Sequence, residues 1–227
     1  VVCRRQRQMC IRDRSMIVPI MAQFYYNQLD SGFIGSGLVS IIFGVLFFLS
    51  NLDYEKKLTL PQAFLLTALS WLSIAIFGSL PFVFSDLSLS FTNAFFESMS
   101  GITTTGSTIL TNLNETPKAI LLWRAMLQWL GGIGIIVMAI TLMPIMNIGG
   151  MQLFVISNTH TPEKILPKSK EISIRLIVIY SSLTLVCTFF YKIFGMSFFD
   201  SIVHSMTTIA TGGFSNYNES IGCLLYT

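Results

Sequence analysis

Two stretches of this sequence, Ser98–Gly106 (SMSGITTTG) and Ser205–Gly213 (SMTTIATGG), align without a gap at a distance of 107 positions. Five of the nine aligned residues are identical, including the final glycine. In both copies a long apolar run comes first, a short semi-polar stretch follows it, and a Thr/Gly turn comes last. Self-similarity at a fixed period is the signature of a repeated structural unit. The chain is therefore predicted to contain two copies of one unit.

The composition predicts that these units lie in a membrane. Hydrophobic residues make up 52% of the chain, charged residues make up 11%, and the mean hydropathy is +0.68. A soluble domain carries about 25% charged residues, so a water-soluble globular class is excluded. Four apolar runs are long enough to be predicted as bilayer-spanning helices: Phe33–Ser50, Gln62–Phe84, Ala119–Met143 and Ile172–Phe194. The first is the weakest of the four, since it reaches only about 27 Å at the helical rise.

Two further stretches, Leu89–Ile102 and Ser197–Ile209, are too short and too polar to cross a bilayer. They are predicted to be re-entrant half-helices. Non-helical backbone at membrane depth is tolerated only where it is buried in protein or lines a watery cavity. The Thr/Gly turn after each half-helix is therefore expected at such a place. The predicted fold is all-α and integral to the membrane, with each unit consisting of helix, half-helix with loop, and helix.

These elements divide the chain into six segments. They are a basic opening (1–14), N-terminal helices (15–60), the first unit (61–145), a cytoplasmic connector (146–170), the second, incomplete unit (171–222) and a short tail (223–227). The opening and the tail resemble translated adapter sequence and are expected to be artefactual. The alternative for the opening is a basic arm on an anionic lipid surface. Of the four cysteines, only Cys187 lies within an apolar run, so no disulfide or metal framework is predicted.

The distribution of basic residues predicts the orientation of the chain. Loops 51–61 and 145–171 are richer in lysine than the loops on the other side. Cytoplasmic loops carry an excess of Lys and Arg, so these two loops are expected in the cytoplasm. Both Thr/Gly turns would then face the outside and lie close to each other. Lys164, Lys168 and Lys170 are interpreted as topology determinants, with docking of a regulatory partner as the alternative.

The repeated turns have a composition that suits a cation pathway. A dehydrated monovalent cation needs several oxygen ligands, and backbone carbonyls supply them without placing full charges in a region of low dielectric constant. Aligning successive carbonyls requires backbone angles that glycine permits, which is a physical reason for Gly106 and Gly213. The half-helices would also direct their partially negative C-terminal ends at the pathway.

Several polar residues within the apolar part have two interpretations. Glu97 and its counterpart His204 are intramembrane ionisable residues and hence functional candidates, although such groups also bond neighbouring backbone. Arg124 is expected to extend its side chain to the outer interface, with a role in the pore as the alternative. Residues 131–134 (GGIG) are interpreted as a close helix contact and not as a nucleotide-binding turn, because no strand precedes them.

Three motifs together closely resemble the Trk/Ktr/HKT superfamily, specifically the membrane subunit of the bacterial Trk potassium uptake system: Phe95–Gly106, Leu122–Gly134 and Ala210–Ser215. The resemblance covers roughly residues 16–222. It implies four helix–pore-loop–helix repeats around one pore, of which this sequence holds about two. It also implies a bacterial cytoplasmic (inner) membrane, a homodimer, a cytoplasmic nucleotide-binding regulatory subunit and potassium as the transported ion, with no other cofactor.

The resemblance further implies which residues form the selectivity filter. One filter glycine is expected per repeat, here Gly106 and Gly213. The implied ion-binding residues are Thr103, Thr104, Thr105, Gly106, Ala210, Thr211, Gly212 and Gly213. The expected function is potassium uptake through a carbonyl-lined, channel-like filter, with no catalytic residue and no nucleic-acid partner.

Two other functions are weighed against potassium uptake. The first is a sodium-conducting or sodium-coupled relative. A serine in place of the first filter glycine marks sodium preference in related plant proteins, so Gly106 favours potassium. The second is an intramembrane hydrolase in which Ser36 and His204 form a nucleophile–base pair, a weak hypothesis because residue types alone establish no geometry.

Overall fold

The computed structural model describes residues 31–49, 60–146 except 86 and 88, and 165–223, together with the isolated positions 19 and 21. Over the three ranges the chain forms six α-helices and no strand. The helices are α1 (Ser31–Leu49), α2 (Leu60–Phe84), α3 (Phe91–Ile102), α4 (Lys118–Met146), α5 (Ile165–Ile193) and α6 (Phe198–Ile209). Two short 3-10 turns cover Leu113–Glu115 and Ser220–Cys223. Of the sequence-based segments, the opening (1–14) lies outside the described residues, as do residues 15–18, 20, 22–30 and 50–59 of the N-terminal helices, residues 147–164 of the connector and residues 224–227 of the tail.

Three of the four predicted spans are confirmed by length and composition. Windows of 18 to 22 residues in α2, α4 and α5 are apolar enough to cross a membrane: Thr67–Phe84, Lys118–Met138 and Ile172–Ile193. The fourth, in α1, is a helix with a shorter apolar stretch at Gly35–Leu46. This is Phe33–Ser50, the shortest of the four predicted spans and hence the weakest prediction of a bilayer-spanning helix.

Two helix boundaries differ from the sequence-based prediction. Helix α4 continues two residues beyond Pro144, and α5 begins at Ile165, inside the stretch predicted as a loop. Pro167 lies in the first turn of α5. A backbone N–H at this position would have no intrahelical acceptor, so its absence in proline costs no hydrogen bond. Pro144 lies in the last turn of α4, where it removes a single hydrogen bond.

The two half-helices begin with the same cap. Ser90 precedes α3 and its hydroxyl accepts a hydrogen bond from Asn93 N at 3.4 Å, while Ser197 precedes α6 and accepts from Asp200 N at 3.2 Å. The two serines are equivalent in the 107-residue repeat. A side-chain oxygen at this position satisfies one of the backbone donors that a helix start leaves open. The predicted half-helices are therefore confirmed, with each serine as the residue just before the helix.

Helix α4 forms the centre of the described fold and is buried by the half-helices on two sides. On one side, Trp123 and Leu127 pack with Phe33 of α1, Phe82 of α2 and Ala94 of α3. On the other side, a second cluster joins α4 to α6; it consists of Leu122, Ala125, Met126 and Val203. All residues from 119 to 128 are buried, so the helix is enclosed around its whole circumference at this level.

Glycines allow α4 to approach both half-helices closely. A Cβ atom on Gly131 would overlap the backbone carbonyl of Ile102, and one on Gly132 would lie 2.6 Å from the Tyr180 hydroxyl and 3.4 Å from Ala210 Cα. The sequence-based interpretation of this stretch as a helix-packing motif is therefore confirmed at these two positions.

Replacing Gly131 with Ala tests this contact. The added methyl group would overlap backbone, which cannot rotate away, so we expect a loss of stability toward the upper end of the usual cost of overpacking, about 3 kcal/mol. Gly134→Ala is the matched control, because its nearest neighbour is the Trp71 ring at an ordinary 3.8 Å. Thermal unfolding of the complete detergent-solubilised protein measures both changes. Equal melting temperatures for the two variants would contradict the proposed packing.

Candidate functional site

The Thr/Gly turns form two hairpins with the same backbone conformation. The first hairpin consists of residues 103–107 and the second of residues 210–214. Thr104 and Thr211 each have φ 56°, while Gly106 and Gly213 have φ 80° and 77°. Positive φ disfavours residues with a Cβ and suits glycine. The glycines stand where the sequence-based argument requires them, and each hairpin also holds a threonine in the left-handed region.

The hydrogen bonds of the two hairpins are equivalent as well. In the first hairpin the backbone N–H groups of Thr103, Thr104 and Thr105 donate to carbonyls in the last turn of α3 at 3.0 Å. In the second hairpin the equivalent N–H groups of residues 210, 211 and 212 donate to the equivalent carbonyls of α6 at 2.9 to 3.1 Å. The hairpins therefore occupy carbonyls that a helix end would otherwise leave without partners.

Threonine hydroxyls further steady the hairpins. Thr103 Oγ1 donates to Met99 O at 2.8 Å and lies 2.8 Å from Thr105 Oγ1. Thr211 Oγ1 donates to Ala210 O at 2.7 Å. The sequence predicts that the hydroxyls of Thr104, Thr105 and Thr211 either steady the loop or face the ion. The contacts of Thr105 and Thr211 agree with the first alternative.

The structure brings the two hairpins into direct contact. A Cβ on Gly106 would overlap the carbonyl oxygen of Gly212. Just beyond the hairpins, Leu113 N donates to Asn218 Oδ1 at 3.1 Å and Asn218 N donates to Asn114 Oδ1 at 3.4 Å. The prediction that the two turns lie close to each other is therefore confirmed.

A buried ion pair lies behind the first hairpin. Arg124 Nε donates to Glu97 Oε1 at 2.7 Å, and each of the two residues is only 1% exposed. The Glu97 carboxylate also accepts from Thr108 Oγ1 at 2.9 Å and from Ile109 N at 3.0 Å. Glu97 thus bonds the backbone that follows the first hairpin. This agrees with the second of its two sequence-based interpretations, in which the residue bonds neighbouring backbone.

Arg124 joins the ion pair to the second hairpin. Its Nη1 donates to Ser215 O at 3.3 Å, and its guanidinium carbon lies 4.1 Å from the ring centroid of Phe214. Cationic groups over an aromatic face are stabilised by the ring quadrupole. The prediction that Arg124 extends to the outer interface is wrong, because Glu97 gives the guanidinium a partner inside the protein. The sequence contained a signal for this pairing, because Glu97 and Arg124 are opposite charges within apolar stretches.

The second repeat supports its hairpin with different residues. His204, the counterpart of Glu97, has Nδ1 3.0 Å from Asp200 O and Nε2 3.4 Å from Ser215 Oγ. The Asp200 carboxylate accepts from Asn216 Nδ2 at 2.7 Å and from the Tyr217 hydroxyl at 3.1 Å. Sequence reasoning overlooked Asp200. Its spacing from Ser197, which matches a helix capping box at the start of an apolar run, could have identified it.

Sequence reasoning included Gln128 in a family motif but gave it no role of its own; the structure places it next to both hairpins. Its side chain is fully buried, and its Oε1 accepts from Phe214 N at 3.2 Å. A glutamine inside an apolar span is a polar group that requires partners, and that was the available signal.

The candidate pair of the hydrolase hypothesis is not brought together. The Ser36 hydroxyl donates to Phe33 O in its own helix at 3.0 Å. Both ring nitrogens of His204 face Asp200 and Ser215. The side chains have separate partners, so no nucleophile–base hydrogen bond supports hydrolysis.

Comparison with known proteins identifies the family. The sequence profile of TrkH, described as a cation transport protein, matches residues 30–224. The chain belongs to the TrkH family. It is 40% identical over 212 residues to the Trk system potassium uptake protein TrkH of Escherichia coli K12, a match that covers 92% of this chain and 44% of the relative. It is 47% identical over 161 residues to TrkI of Halomonas elongata, covering 71% of this chain and 33% of that protein.

A solved structure has the same fold. The crystal structure of the potassium transporter TrkH from Vibrio parahaemolyticus matches with a TM-score of 0.82 and 36% identity, over 96% of this chain and 44% of that one. The chain spans less than half the length of these relatives. The predicted family and the all-α membrane fold are confirmed, and the chain is part of a multi-pass inner-membrane protein.

Removing one member of the buried ion pair tests its role. Glu97→Gln leaves the Arg124 guanidinium without a counter-charge in a buried place, so we expect a loss of about 3 to 5 kcal/mol in the free energy of unfolding. Arg124→Gln should cost a similar amount by leaving the carboxylate unpaired. Thermal unfolding of the complete protein in detergent measures both.

The double variant Glu97→Gln/Arg124→Gln is expected to lose less than the sum of the single variants, because the two groups interact. Glu115→Gln is the control, since Glu115 is exposed in the turn after the first hairpin. Strictly additive losses would rule out the ion pair as the supporting contact.

Proposed function

We propose that this chain contributes the first two pore units of a potassium uptake protein of the bacterial inner membrane. In this proposal potassium crosses along backbone oxygens of the two hairpins, and no other cofactor takes part. The filter residues are those implied by the family resemblance: Thr103, Thr104, Thr105, Gly106, Ala210, Thr211, Gly212 and Gly213. The observation that carries the proposal is the side-by-side placement of two hairpins with equivalent backbone angles and hydrogen bonds.

The electrostatics around the hairpins favour a cation. Helices α3 and α6 both end at a hairpin, and neither has a basic residue in its last turn. The C-terminal end of a helix carries a partial negative charge. The guanidinium of Arg124, which bonds the segments after both hairpins, is paired with the Glu97 carboxylate at 2.7 Å, and this pairing reduces the repulsion that it would exert on a passing cation.

The relatives support potassium as the ion, because the matched proteins of Escherichia coli and Halomonas elongata are named Trk system potassium uptake proteins. By the same resemblance, we propose that the complete protein acts as a homodimer with a cytoplasmic nucleotide-binding subunit. Two hairpins cannot surround an ion, so the proposal requires two more in the complete protein.

Growth on low potassium tests the function directly. The complete reading frame that contains this chain is expected to encode two further hairpins, each with a filter glycine. Expressed in a bacterium that lacks potassium uptake systems, it should restore growth at low potassium. An inserted, complete protein that moves no potassium, or a reading frame without the two hairpins, would refute the proposal.

The two filter glycines differ in their surroundings, which provides a matched pair of variants. Gly106→Ser would overlap Gly212 O, whereas no heavy atom of the described residues, apart from the two chain neighbours, lies within 4 Å of a Cβ on Gly213. Both substitutions bear the cost of a positive φ, about 1 to 2 kcal/mol, but only the first displaces the other hairpin. We therefore expect Gly106→Ser to raise sodium permeation relative to potassium more than Gly213→Ser does. Ion flux into vesicles measures this, and unchanged permeation in Gly106→Ser would count against the filter assignment.

A further inference from the structure

One face of α4 contacts both hairpins. Position 128 follows 124 by four residues, and positions 131 and 132 follow 128 by three and four residues, so all four fall on one side of the helix. Arg124 bonds the segments that follow both hairpins. Gly131 packs against Ile102, just before the first hairpin, and Gly132 packs against Ala210 at the start of the second. Gln128 is the middle residue of this face. Its position places a polar side chain next to both hairpins, at the level of their glycines.

The Gln128 amide lies next to both hairpins at the place where they contact each other. A Cβ on Gly212 would lie 2.6 Å from Gln128 Nε2. The second hairpin can therefore come this close to Gln128 only because residue 212 is a glycine. From the first hairpin, a Cβ on Gly106 would lie 3.7 Å from the same nitrogen. The side chain is fully buried, so it cannot move away without opening a gap. Its length and volume therefore limit how closely the hairpins approach α4.

One end of this amide has a hydrogen-bond partner and the other has none. Phe214 N donates to Oε1 at 3.2 Å. This bond fixes the orientation of the amide, because only the oxygen can accept from an N–H. Among the described residues, Nε2 has no acceptor. A buried donor without a partner is costly and requires an explanation. Because Nε2 lies beside Gly106 and Gly212, the carbonyls of the hairpins are candidate acceptors.

We propose that Gln128 is a specificity-determining positioning residue. It sets the spacing of the two hairpins, and its Nε2 donates to a hairpin carbonyl when a cation occupies the pore. The inference rests on the proposed function, and Gln128 does not touch the ion itself. Selectivity among monovalent cations depends on the size of the cavity and on the number and field strength of its carbonyls. A side chain that spaces and orients these carbonyls therefore acts on selectivity and not only on stability.

Two substitutions separate spacing from hydrogen bonding. Gln128→Glu keeps the length and the acceptor for Phe214 N but removes both N–H donors, whereas Gln128→Met keeps the length and removes all hydrogen bonding. The complete protein is reconstituted in lipid vesicles, and uptake of radioactive rubidium is measured in competition with potassium or sodium. We expect Gln128→Met to lower the preference for potassium over sodium about tenfold, which corresponds to about 1.4 kcal/mol. Gln128→Glu should lower it by a smaller factor.

Gln62→Met is the control, because it makes the same change at an exposed position of α2; its potassium preference should equal that of the parent. If both Gln128 variants keep the parent preference while only the amount of protein or the rate falls, Gln128 merely packs and the inference is overturned. Should neither variant insert in the membrane, Gln128→Asn keeps both polar groups and withdraws them by one methylene. A lowered preference in that variant supports the inference, and an unchanged one overturns it. A parent protein that moves no rubidium refutes the proposed function itself.

Discussion

Backbone polar groups at membrane depth need partners, and this requirement governs the arrangement around the hairpins. Each half-helix has only 12 residues, too short to cross a bilayer, and its last carbonyls would remain open if the chain simply continued as coil. The following residues turn back instead, and their N–H groups bond those carbonyls within 3.0 Å in the first hairpin and 3.1 Å in the second. The left-handed angles at Thr104 and Gly106, and at their counterparts in the second hairpin, are the geometric condition for this return.

Helix α4 holds the two half-helices in place through apolar packing on some of its sides and polar contacts on another. Its apolar sides pack against α2, α3 and α6, and its polar face lies behind the hairpins. Arg124 is buried there with Glu97 as counter-charge and Phe214 under its guanidinium. A charge in such surroundings is tolerated only when it is paired and hydrogen-bonded. The ion pair therefore fixes the position of the backbone beyond each hairpin.

The sequence predicted the parts that depend on local pattern. Apolar runs located the spanning helices, and the repeat located both half-helices and the glycines with positive φ. The fate of Arg124 was not predictable from local pattern, because it depends on a carboxylate 27 positions earlier that only the folded half-helix brings near. The same holds for Gln128, whose partner Phe214 lies 86 positions away. The filter assignment stays a prediction, because it concerns the binding of an ion. The segment boundaries also stay predictions, because several of them fall in residues that the structure does not describe.

The two repeats reach one backbone shape with different supporting chemistry. Glu97 is joined to an arginine, whereas its counterpart His204 rests on Asp200 and Ser215. Such divergence is available only when the units are covalently joined, because a symmetric assembly of separate identical subunits repeats each substitution in every subunit. In this chain a single codon change alters the support of one hairpin and leaves the support of the other intact. Evolution can therefore adjust the two hairpins in separate small increments, and an experimenter can dissect their supports one at a time.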